Sequence, residues 1–99
     1  MDRPHAIVLA AACLLLPLFA NCAGAPHSPQ LANQCEQGLH LAFQELDQAK
    51  AKGFGGTVSW TKAATLLGTA RLQQQFDKFP NCVNKIERAR FYIKESQKI

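Results

Sequence analysis

Two cysteines, Cys35 and Cys82, each fall near the start of a run of apolar residues with helical spacing, and this pairing constrains the fold more than any other feature. In the first run Leu31, Cys35, Leu39, Ala42, Leu46 and Ala49 recur at steps of four, four, three, four and three. In the last, Cys82, Ile86, Ala89 and Ile93 recur at steps of four, three and four. Such spacing places each set on one face of a helix. A middle run of Trp60, Ala63, Ala64, Leu67 and Ala70, with Leu66 alongside and Leu72 and Phe76 further round, predicts a third helix between them. Helices joined by short loops stand antiparallel, so the first and last should run parallel with their N-terminal ends together. A disulfide needs Cα atoms within about 7 Å of each other. An up-down-up bundle brings Cys35 and Cys82 to that distance. The expected fold is therefore all-α, a small three-helix bundle with one Cys35–Cys82 disulfide.

The boundaries follow from local chemistry. Ser28 followed by Pro29 predicts an N-cap and first helical residue. Gly53 predicts a left-handed stop, with Phe54 folding back beyond it. Gly55 and Gly56 complete the loop. The second helix is expected to begin near Ser59, with Thr57 as the alternative cap. Pro80 is expected to end it, because a residue before proline avoids helical geometry. Asn81 then caps the third. The helices so placed run over about 29–52, 59–78 and 81–98.

What precedes them reads as an export signal. Arg3 and His5 open the chain, an apolar run follows from Ala6 to Ala20, and Ala23-Gly24-Ala25 supplies a small-residue exit. That order describes a cleavable secretory signal peptide. A membrane-spanning helix needs about 20 apolar residues, whereas this run is shorter and broken by Pro17. Residues 1–25 are thus assigned to the signal, 26–30 to a tether and 31–99 to the helical domain.

The exit also holds Cys22. The stretch Leu18-Phe19-Ala20-Asn21-Cys22 resembles the lipobox of bacterial lipoproteins, departing at Asn21, where the pattern has Gly, Ala or Ser. The resemblance implies lipidation of Cys22 and a signal of residues 1–21. Ordinary cleavage near Ala25 is the alternative, and Pro26 fits it poorly. Either way Cys13 and Cys22 belong to the leader or its edge, leaving Cys35 and Cys82 as the pair of the folded part. An oxidising compartment favours joining them.

Reactive chemistry is not visible. No Ser-His-Asp or Cys-His set can be assembled, and no close Cys-x-x-Cys opens a helix. The Gly53–Gly56 loop has no preceding strand and no following Gly-Lys-Ser/Thr, so it is not a phosphate loop. His40 lies off the cysteine stripe and reads as a surface residue, and Trp60 as a core or rim anchor. No catalytic residue, metal or cofactor is expected, and the chain is read as non-enzymatic ahead of the alternative of a small redox or hydrolytic enzyme, which would need a cleft with convergent polar groups.

Eleven Lys and Arg against seven Asp and Glu give a net charge of +4, unchanged when Asp2 and Arg3 leave with the signal. The third helix concentrates this charge, with Lys85, Arg88, Arg90, Lys94 and Lys98 against Glu87 and Glu95. Lys85, Arg88 and Tyr92 fall on one side at helical spacing and form the candidate surface-binding set. Anionic lipid head groups, cell-wall polymer or an acidic envelope protein are the partners such a face suits. Lys and Arg near a helix C-terminus also complement its dipole with no partner at all. Export disfavours nucleic acid.

Glu45-Leu46-Asp47-Gln48-Ala49-Lys50, Gly53, Ser59 to Ala64, Leu66-Leu67, Ala70-Arg71 and Arg88-Ala89-Arg90 together resemble small exported proteins and lipoproteins of proteobacteria built on an Ala-rich helical hairpin. The resemblance implies a periplasmic location, with or without a lipid anchor to the membrane, and a structural or interaction role.

Overall fold

A computed structural model of the chain describes residues 28–98. The expected signal peptide, its expected cleavage region and Cys22 lie outside the described residues. Three helices follow in order: α1 over Pro29–Ala49, extended by a π-helical turn over Lys50–Phe54, α2 over Val58–Gln75 and α3 over Phe79–Ser96. Among the described residues there is no strand.

The ends of α1 are set by the residues the sequence points to. The Ser28 hydroxyl accepts from the Leu31 N–H at 3.4 Å, and Pro29 occupies the first turn. Residues 29 and 30 are therefore helical rather than tether. Gly53 stops the helical turn at φ 99°, a conformation that carries a steric penalty for residues with a Cβ. Phe54 then turns back and packs against the core.

Two boundaries differ from expectation. Thr57, not Ser59, caps α2, because its hydroxyl accepts from the Trp60 N–H at 3.1 Å while donating to the Phe54 carbonyl at 2.9 Å. One side chain thus satisfies both the helix start and the loop end. At the other junction Pro80 opens α3 instead of ending α2. The first-turn N–H groups of a helix have no internal acceptor, so Pro80 forfeits no hydrogen bond there. That advantage outweighs the pre-proline preference against helix at Phe79. Asn81 consequently lies inside α3, and its cap position is held by Lys78 without a side-chain bond. α2 ends instead in a Schellman arrangement. The N–H of Lys78 donates to the Gln73 carbonyl at 2.8 Å and that of Asp77 to Gln74 at 3.0 Å, with Asp77 left-handed at φ 58°.

The bundle is up-down-up. Trp60 near the start of α2 reaches Leu46 near the end of α1, its indole N–H donating to the main-chain carbonyl at 3.0 Å. At the opposite end the Gln74 amide of α2 donates to the Glu36 carboxylate of α1. Cys35 and Cys82, near the starts of the parallel α1 and α3, are joined with Cα atoms 5.7 Å apart.

The core between the helices is thin. It consists of Cys35, Leu39, Ala42, Leu46 and Ala49 from α1, Ala63, Leu67 and Ala70 from α2, and Cys82, Ile86, Ala89 and Ile93 from α3. Five of these are alanines, which bring helices close but bury little apolar surface. Gly38 sharpens the approach of α1 to α3, since a Cβ there would stand 3.0 Å from the Ile86 Cδ1. A domain of this size is marginal on burial alone. Closing a loop with a sequence separation of 47 contributes about 4 kcal/mol in the chain-entropy description. The disulfide is thus a main support of the fold.

Candidate functional site

The site begins with the uneven use of charge on α3. Arg90 and Glu45 form an ion pair across α3 and α1, Nε to Oε1 at 2.6 Å and Nη2 to Oε2 at 3.2 Å. Hydrogen bonding to Glu45 raises the Arg90 pKa, with partial burial opposing and the carboxylate charge adding. Lys98 pairs with Glu95 at 2.7 Å. These two are the salt bridges among the described residues. On α2, Arg71 lies over the Phe43 ring at 4.3 Å, against α1. Arg90, Lys98 and Arg71 are therefore engaged within the molecule.

Arg88 and Lys62 are engaged differently. They border an open groove of about 510 Å³ between the N-terminal half of α2 and the C-terminal half of α3. Its apolar surface comes from Val58, Leu66 and the Tyr92 ring, with Thr61 beside them. The Lys62 ammonium stands over the Tyr92 ring at 5.3 Å, a cation–π geometry that holds both side chains at the rim. Phe91 meets Tyr92 edge-on at 5.3 Å and is itself exposed. No carboxylate lines the groove. The result is a shallow apolar trough with a cationic edge, suited to holding an anionic or amphiphilic partner by contact.

Of the sequence-derived set, Arg88 and Tyr92 meet in this groove, one helical turn apart. Lys85, a turn earlier, is half-buried and lies outside the lining. Lys62 completes the edge from the other helix and was not visible to a reading of α3 alone. Its signal was its place on α2, off the Trp60–Ala63–Leu67 stripe and on the flank that an antiparallel α3 covers.

The remaining candidates are structural or on the surface. Cys35 and Cys82 are fully buried and joined. His40 is exposed, with its Nε2 3.4 Å from the Gln44 side-chain amide. Among the described residues no group of three or more His, Cys, Asp or Glu is placed to hold a metal ion. No helix among them is long and apolar enough to cross a membrane. Comparisons with protein-family models, curated proteins and solved structures give no match.

Proposed function

We propose that this chain is an exported, non-enzymatic helical module of the cell envelope, periplasmic and carried on a lipid anchor if Cys22 is acylated, which acts by presenting a surface to a partner. The observation that carries the reading is the fully buried Cys35–Cys82 disulfide. A thin-cored bundle that relies on a disulfide suits an oxidising compartment, where the bond forms and persists. Intact mass of the protein recovered from an envelope fraction, with and without reductant, tests it. The expected species starts at Cys22 with acyl chains or near Pro26, and gains two hydrogens on reduction. A full-length cytosolic protein in which Cys35 and Cys82 are free thiols overturns the reading.

A second reading, contact with anionic envelope surfaces through α3, is favoured by Arg88 and Tyr92 sharing one groove with Lys62. Retention on anionic vesicles or purified cell wall should then fall with salt and with R88E. Arg90 is not a useful probe here, because it is engaged with Glu45.

A further inference from the structure

Helix α2 carries two seams, and only one of them is covered by the bundle. The inner seam, Trp60, Ala63, Leu67 and Ala70, packs against α1 and α3. On the opposite side Val58, Thr61, Thr65, Gly68 and Leu72 recur at steps of three, four, three and four, with Phe76 one turn further. Such alternation is the spacing of a helix–helix contact line. Every residue of this outer seam is exposed, with Val58 at 73%, Leu72 at 54% and Phe76 at 68%. These three are among the five large apolar side chains the described residues leave exposed.

Its polar members are already satisfied. The Thr61 hydroxyl donates to the Thr57 carbonyl at 3.1 Å, and that of Thr65 donates to Thr61 at 3.0 Å. Covering these threonines leaves no hydroxyl proton without an acceptor, which removes the usual penalty for drying a polar surface. At Gly68 no atom lies within 4 Å of where a Cβ would stand, so a second backbone has room to approach. The only charges on α2 are Lys62 and Arg71, and both lie off the seam. Arg71 is held over Phe43 on the α1 side. Lys62 stands with Arg88 on the α3 side, at the carboxylate-free groove.

From this asymmetry we infer that the outer face of α2 and the adjoining groove receive an amphipathic helix of a partner protein, whose apolar stripe covers the Val58–Phe76 seam and whose α3-facing edge is acidic. The occupant completes a four-helix arrangement. Charge complementarity selects it: Lys62 and Arg88 have no carboxylate in the groove, so an acidic edge pairs with them, whereas a second copy would bring further cations to the same side. The seam runs along the 18 residues of α2, about 27 Å, matching a helix of about five turns rather than a compact head group. This is the helix-in-groove mode of recognition. It rests on the reading that the chain works by surface contact and is independent of where the chain resides.

The test uses the whole disulfide-bonded protein and two labelled synthetic helical peptides with the same Leu/Ala stripe, one edged with Glu and the other with Lys, followed by fluorescence anisotropy. The Glu-edged peptide should bind about ten-fold tighter at low salt, and added salt should shrink the difference. L72E should weaken both peptides by about ten-fold or more, since it charges the shared seam. K62E/R88E should reverse the preference in favour of the Lys-edged peptide, a gain that misfolding cannot imitate, and circular dichroism of each variant confirms its helices. Equal binding of the two peptides, or binding of neither, overturns the inference. Arg88-dependent retention on anionic vesicles with no peptide binding also overturns it while leaving the contact reading standing. Peptide binding by a protein that proves cytosolic leaves the inference intact and removes only the assigned location.

Discussion

The indole N–H of Trp60 donates to the main-chain carbonyl of Leu46 across a sequence separation of fourteen residues, fastening the start of α2 to the end of α1. The same carbonyl also accepts from the Lys50 N–H where α1 enters its π-helical turn. One acceptor therefore anchors both the helix end and the neighbouring helix.

Trp60→Phe keeps most of the ring burial and removes the bond. Because Leu46 retains Lys50 as a donor, its carbonyl is not orphaned, and the expected loss is about 1 kcal/mol. Urea unfolding followed by far-ultraviolet circular dichroism measures it. Trp60 is also the only tryptophan in the chain, so wild-type fluorescence reports directly on the α1–α2 junction.

Replacing both Cys35 and Cys82 with Ala should lower stability by about 4 kcal/mol, appearing as a large drop in the denaturant midpoint. A thin core leaves little to compensate. A variant within about 1 kcal/mol of wild type would show that the bundle stands on packing alone, against its expected marginality.

Asp77 holds the left-handed position that closes α2, where glycine is the favoured residue. Asp77→Gly should raise stability by about 0.5–1 kcal/mol by relieving its Cβ. Gly53→Ala, at φ 99°, should lower it by about 1 kcal/mol or more. Thermal melts of the two variants should shift in opposite directions.

Two helical glycines should also respond differently. Gly68→Ala meets no atom within 4 Å and should stabilise the free protein by about 0.5–1 kcal/mol through helix propensity. Gly38→Ala gains the same propensity but presses on Ile86 Cδ1 at 3.0 Å. It should fall below Gly68→Ala by about 1 kcal/mol as the α1–α3 contact opens.

For Arg90 and Glu45, partly exposed at 41% and 28%, a double-mutant cycle should give a coupling of about 0.5–1 kcal/mol that weakens with salt. The Arg90 pKa is raised in the folded state, so its share of stability is complete below the unfolded value and fades only as pH climbs through the folded one. From Arg90 itself, equilibrium unfolding should therefore show no change between mild acid and neutral pH, with loss confined to strongly alkaline solution.

Much of the fold is legible from spacing because each buried face is a regular stripe. Cys35 and Cys82 sit in those stripes near the starts of helices that short loops make parallel, so the disulfide follows from the pattern. Ser28 and Gly53 are legible because one residue does each job alone. Thr57 is less so, since Ser59 offers the same hydroxyl two residues later and only the position of the Phe54 carbonyl decides between them. Pro80 carries opposite local preferences, ending one helix or opening the next, and Asp77 hides a turn that glycine would have announced. The groove is half legible. Arg88 and Tyr92 share a face through their own helix, but Lys62 joins them only through the rotation of α2 against α3, which no single-helix pattern contains.

The sulfur bridge has a mechanical consequence. Tension applied to the segments flanking Cys35 and Cys82 passes from α1 to α3 through a covalent link and bypasses α2 entirely. Stretching the oxidised chain loads only the residues outside that closed ring. α2 therefore keeps one wall of the groove free of load, while the other wall, Arg88 and Tyr92 beyond Cys82 on α3, bears the pull.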